Sequence, residues 1–139
     1  MDRNEHPGHQ LGDLILEQTA EAIIYSDRQG TIERWNGAAT AMFGHTFAEA
    51  HGQSLDLIIP EHLRAAHWRG FDAAMASGTT RLNGRPTLTR ALHKSGRKLY
   101  VEMSFAVVVD ADKAILGSVA IARDVTERIE HEKKAASGG

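Results

Sequence analysis

The chain has 139 residues, enough for one compact domain that buries most of the surface its unfolded form would expose. With 16 basic and 18 acidic residues and a formal net charge of -2, it lacks the basic footprint of a nucleic-acid binder. It contains no cysteine, which excludes disulfides, thiolate zinc sites, thiol nucleophiles and cysteinyl adducts with a cofactor.

The opening residues 1–10 carry charge, Pro7 and Gly8 and lack the apolar stretch of a signal peptide, so a flexible lead-in is expected. Apolar runs such as 106–109 fall far short of a bilayer span, and a cytoplasmic chain with no membrane partner is the expectation. Leu14, Ile15 and Gln18 predict a short helix over 12–19. Residues 22–26 and 31–35, separated by Asp27-Arg28-Gln29-Gly30, predict an antiparallel hairpin. Asn36 is placed to cap a short helix that stops at Gly44, and Thr46 to cap a second that ends near Gly52.

Pro60 suits the first turn of a longer helix over 61–77, and Gly78 suits the position just past its end. Its apolar stripe comprises Leu63, Ala66, Gly70, Phe71, Ala74 and Met75, with His67 as the one hydrogen-bonding group. A buried imidazole there needs a partner, either a neighbouring carbonyl or hydroxyl or a metal. His62 lies five residues earlier, so the two histidines do not share a face and do not form a chelating pair.

Residues 81–93 predict an extended segment interrupted by Gly84 and Pro86, followed by a turn at Lys94-Ser95-Gly96. Leu99, Val101, Met103, Phe105 and Val107 alternate with Tyr100, Glu102, Ser104 and Ala106, the clearest strand pattern in the chain. A last strand is expected over 114–123. A charged helix over 124–134 follows, with Val125 and Ile129 on one side, and 137–139 complete a linker-like tail. The expected organisation is a lead-in and cap helix over 1–19, a domain over 20–123 and a signalling helix or linker over 124–139.

Gly30-Thr31-Ile32-Glu33-Arg34-Trp35-Asn36, followed by Ala38-Ala39 and Phe43-Gly44, resembles the entry motif of PAS domains. Residues 118–128, especially Arg123-Asp124-Val125-Thr126-Glu127-Arg128, resemble the exit motif that joins the last PAS strand to a signalling helix. The resemblance implies an α+β fold, a five-stranded antiparallel sheet with short helices and one longer helix across one face. It also implies a homodimer and a signalling effector, such as a histidine kinase, cyclase or chemoreceptor, in a longer chain.

Pro60-Glu61 with His67 six residues after Glu61 is similar to the oxygen-sensing haem PAS domains of the FixL type. That likeness implies haem b, with His67 as the iron ligand. It implies Arg81 against a haem propionate, Leu82, Met103 and Phe105 on an apolar distal wall, and Gly70, Phe71 and Ile121 among the haem contacts. Thr87 stands where the family has an arginine that hydrogen-bonds bound oxygen. A shorter, uncharged hydroxyl weakens the case for a stable oxygen adduct, so oxygen, carbon monoxide, nitric oxide and redox state all remain as signals.

Each position also has a plainer role. Gly70 suits close helix-to-sheet packing as well as approach of a macrocycle, Met103 suits core packing as well as a sixth iron ligand, and Arg81 suits a solvated strand end. Two functions follow: a haem-based sensor of a diatomic gas or redox state, or a dimerisation and relay module that binds another small apolar ligand or none. An enzyme ranks last, because no Gly-x-Ser-x-Gly elbow, phosphate loop or His-Glu-x-x-His motif appears.

Overall fold

The computed structural model describes residues 7–138, so residues 1–6 of the expected lead-in and residue 139 of the expected tail lie outside the described residues. The elements are α1 (Pro7–Gln18), β1 (Ala22–Asp27), β2 (Ile32–Trp35), α2 (Gly37–Phe43), α3 (Phe47–Ala50) and a 3-10 turn (Leu55–Ile58). They continue with α4 (Glu61–Ser77), β3 (Thr87–Leu92), β4 (Lys98–Val109), β5 (Ile115–Asp124) and α5 (Thr126–Gly138). The five strands form one antiparallel sheet in the order β2-β1-β5-β4-β3, the α+β architecture expected. Among the described residues, no helix is long and apolar enough to cross a membrane.

The β1–β2 turn forms because Asp27 organises it: its Oδ1 accepts the amides of Gln29 and Thr31 at 2.9 and 3.0 Å. Gly30 supplies the left-handed residue, with φ 81°. Asn36 then ties three elements together. Its Oδ1 accepts from Ile23 N and Ala39 N, capping α2, while its Nδ2 donates to Leu16 O, Thr19 Oγ1 and Glu21 O. A fully satisfied buried amide of this kind fixes the approach of α1 to the hairpin. Thr46 and Glu49 close a reciprocal capping box on α3.

The inner face of the sheet carries Ala22, Ile24, Ala120, Ala122, Val101, Met103, Ala91 and Leu99, all buried. They join Ile32, Trp35, Phe43, Phe71 and Met75 in one core. This follows from alternation: β4 buries Leu99, Val101 and Met103 and turns Tyr100, Glu102 and Ser104 outward.

Four expectations need correction. Helix α1 begins at Pro7 rather than near residue 12, and α5 runs on through Ser137 to Gly138 instead of giving way to a linker at 137. Residues 81–84 are not extended: Asn83 and Gly84 both have positive φ, 55° and 82°, and fold the chain into a turn, so β3 starts at Thr87. The buried face of α4 is also displaced. Ala66 and Gly70 are exposed, and the helix packs through Phe71 and Met75 with Leu63, His67, Trp68 and Ala74 half-buried.

Candidate functional site

Helix α4 lies where its ends place it. Pro60 precedes it with φ -55°, and Gly78, with φ 80°, terminates it by donating its amide to Ala74 O. Its position is then fixed by Trp68, which sequence reasoning missed. The Trp68 indole N–H donates to Asp56 Oδ1 at 2.8 Å, and its ring covers the hairpin turn so closely that a Cβ on Gly30 would lie 2.2 Å from it. Arg64 adds a second tie, donating from Nε to Ile59 O at 3.0 Å. The available signal was the spacing Trp68, Phe71, Met75, which continues a helical face that includes neither Ala66 nor Gly70.

His67 is half-buried against this cluster. Its ring meets Trp68 edge-on, with centroids 4.6 Å apart, and lies 6.0 Å from the Phe71 ring. Its Nδ1 is buried and has no hydrogen-bond partner among the described residues. Removal from water pushes its pKa below the ordinary value, against the smaller opposing pull of Asp56 and Asp72. The imidazole is therefore held neutral, and an unpaired polar atom is retained at the helix–core boundary.

That state predicts a pH effect. The unfolded ring takes up a proton near about pH 6.5, before the native ring does, so protonation favours unfolding and stability is lost as pH falls below that value. Replacing His67 by leucine removes both the orphaned atom and the titration. His67→Leu is expected to raise stability by about 1 kcal/mol, with a gain that grows between about pH 7.5 and about pH 5.5. Urea unfolding at the two pH values measures it, and a gain that shrinks toward acid contradicts the assignment.

The other expected site residues divide into two groups. Phe71 and Met103 are buried in the common core, with Phe105 packed against it, and Thr87 sits directly across from Met103 in the β3–β4 ladder. Arg81 is exposed and Leu82 half-buried in the turn before β3, outside that core. Gly70 faces open space, with nothing among the described residues within 4 Å of the position a Cβ would take. Ile121 is 38% exposed and lies on the opposite sheet face from its buried neighbours Ala120 and Ala122. Arg81, Leu82 and Ile121 thus lie outside the core that His67 borders, and Gly70, one turn along α4 from His67, points into open space.

A porphyrin needs a flat slot between α4 and the sheet. The orphaned His67 Nδ1 fits a ring in search of a partner, but the adjoining space does not fit a macrocycle. Phe71 and Met75 of α4 and Met103, Ala91, Ala120 and Ala122 of the sheet are all buried in one continuous core. Among the described residues, open pockets of about 360 and 530 Å³ lie between α1 and the hairpin beside Ile23 and Arg34, and between α2 and the end of β5. Among the described residues, no group of three or more histidine or acidic side chains is placed to hold a metal ion.

A family model described as the PAS fold matches residues 16–130. An uncharacterized protein of Azorhizobium caulinodans is 29% identical over 116 residues, which cover 83% of this chain and 16% of that protein. The chain therefore spans about a sixth of the length of that relative. Among solved structures, the PAS domain of a Colwellia psychrerythraea protein superposes with a TM-score of 0.74 at 20% identity, covering 86% of this chain and 98% of that one. An RNA-binding light-oxygen-voltage receptor gives 0.72 at 20% identity, covering 93% and 36%. A PAS domain from a two-component sensor histidine kinase gives 0.66 at 19% identity, covering 84% and 96%. At these identities the structural likeness is one of fold.

Proposed function

Because the chain belongs to the PAS fold family, a family of sensory and signalling modules, we propose that it relays signals through a core filled by its own side chains, within a longer protein. The single observation that carries this reading is that Phe71 and Met75 of α4 are buried in the same side-chain core as Val101, Met103 and Ala122 of the inner sheet face. A domain packed in this way needs no cofactor to complete its core. The relative from Azorhizobium caulinodans, about six times longer than the matched region, supports a larger parent chain carrying an effector. A likeness to a histidine kinase PAS domain makes that effector class the first to examine.

The output end is α5. Val125, which joins β5 to this helix, is buried and donates its amide to Tyr100 O at 2.9 Å. Asp124 Oδ1 accepts from Thr126 N at 2.9 Å and shapes the same corner. A rearrangement of β4 or β5 therefore reaches the helix through hydrogen bonds rather than through a slack linker. For a signal to leave the domain, its cause must favour one arrangement of sheet and helix over another. At the other end of the chain, α1 exposes Leu11, Leu14 and Ile15 by more than half, and a homodimer that covers them belongs to this reading.

The orphaned Nδ1 of His67 favours a second reading, in which haem b binds through this residue and the domain detects a diatomic gas or redox state. It requires α4 to move off the sheet. Absorption spectroscopy after haemin is supplied separates the two: the relay reading expects no Soret band that depends on His67, and such a band favours the haem sensor.

A further inference from the structure

Tyr100 of β4 holds α5 at two points. Its backbone takes the start of the helix, with the carbonyl accepting from Val125 N and the amide donating to Thr126 Oγ1, each at 2.9 Å. Its side chain takes the helix two turns further on. The Lys133 ammonium sits 4.6 Å from the centre of the Tyr100 ring and donates to its phenol oxygen. This placement follows from helical spacing. Val125, Ile129 and Lys133 fall at i, i+4 and i+8, so Lys133 extends the stripe begun by buried Val125 and half-buried Ile129. A cation over an aromatic face is attracted to the ring, and the hydrogen bond adds direction.

Glu102 lies two residues along β4 on the same outer face, and its carboxylate stands 3.6 Å from Arg128 of α5. The residues flanking Tyr100 are of the opposite kind. Leu99 and Val101 point inward and are fully buried. Tyr100 is thus rigidly continuous with the core on its backbone side and with the exit helix at both ends of its grip.

We propose that Tyr100 and Lys133 form a clasp that sets the direction of α5, so that a shift of β4 becomes a swing of the exit helix. Closing the clasp docks the first two turns of α5 along the outer face of the sheet. Opening it leaves the helix attached through Val125, Thr126 and the solvent-exposed Arg128–Glu102 ion pair, with its far end free to point elsewhere. The clasp deepens the relay reading and rests on that reading only for its purpose.

The absence of native cysteine allows two spin labels to be placed cleanly, at Ala106→Cys on β4 and Ala136→Cys on α5, both exposed. In the parent protein a single narrow distance distribution is expected. Lys133→Gln and Tyr100→Leu are both expected to broaden it and add longer distances, with Tyr100→Phe, which keeps the ring, falling between. A second readout uses the phenol. The chain has only two tyrosines, and Tyr25→Phe leaves Tyr100 alone to titrate.

Hydrogen bonding from Lys133 holds the Tyr100 phenol below its ordinary pKa, with smaller contributions from Arg90 and Lys98. Lys133→Gln is expected to shift that midpoint to higher pH while Arg90 and Lys98 remain. A parent distribution already broad, variants as narrow as the parent, or an unmoved midpoint overturns the clasp. None of these outcomes depends on whether haem binds, so failure of the clasp and failure of the relay reading are told apart.

Discussion

Gly117→Ala is expected to be among the most damaging single-methyl changes in the protein, costing about 3 kcal/mol or more and lowering Tm by roughly 10 °C. Gly117 pairs with Asp27 across the β1–β5 ladder, near the middle of the sheet. A Cβ there would lie 1.9 Å from Ser26 O, 2.9 Å from Ser26 C and 3.0 Å from Asp27 Cα. All three atoms are backbone, so no side-chain rotation relieves the overlap and the strands must separate. Separation also breaks the buried contact between the hydroxyls of Ser26 and Ser118, 3.2 Å apart.

The paired control is Gly70→Ala, where nothing lies within 4 Å of the new methyl and the residue is in the interior of α4. That change is expected to stabilise by about 0.5–1 kcal/mol, because alanine has the higher helix propensity. Thermal unfolding followed by circular dichroism measures both. Equal effects of the two substitutions would contradict the placement of Gly117 and of the exposed face of α4.

Phe43→Ala is expected to cost about 3–5 kcal/mol. The Phe43 ring is fully buried at the end of α2 and packs against Trp35, with ring centroids 5.6 Å apart and planes inclined by 47°. The same residue pins the helix end to the β3–β4 turn, because Phe43 O accepts from Lys94 N at 2.8 Å. Alanine keeps that hydrogen bond and removes the packing, so the loss reports the cavity. Phe43→Leu fills most of the space and is expected to cost about 1 kcal/mol. In urea, the midpoint should fall with the slope unchanged; a changed slope would mean that the residue acts on the compactness of one of the two states instead.

How much of this was legible in the sequence depended on whether the signal was local. The alternation of Leu99, Val101 and Met103 with polar neighbours, the caps Asn36 and Thr46, and the bounds of α4 set by Pro60 and Gly78 are all local, and the structure has them where expected. The PAS entry and exit motifs are local too, and the family match over 16–130 agrees with them.

What depended on distant partners was not legible. The 3-10 turn at Leu55–Ile58 carries Asp56, whose partner Trp68 is twelve residues on, and nothing in either segment announces the bond. Sequence spacing alone therefore runs the α4 stripe through small, exposed Ala66 and Gly70 instead of through Trp68.

Ile121 shows a second limit. On β5 the larger residue faces outward, and the small side chains of Ala120 and Ala122 face the core, where Phe105 and Met103 sit directly across the ladder. Volume on one strand is traded against volume on its neighbour, so hydrophobicity alone assigns the wrong face. The turn 81–84 was hidden for a related reason. An asparagine in left-handed conformation before a glycine reverses the chain, and composition marked only an interruption there.

The central claim is that the space between α4 and the sheet belongs to the protein's own side chains. Its most direct test is the absorption spectrum of purified protein titrated with haemin, alongside His67→Ala, with folding followed by circular dichroism. The account predicts that both proteins stay folded and give the same broad spectrum of loosely associated haemin. A sharp Soret band in the parent that disappears in His67→Ala would contradict it, because the orphaned imidazole would then have found an iron in a space that Phe71, Met75 and Met103 are said to fill.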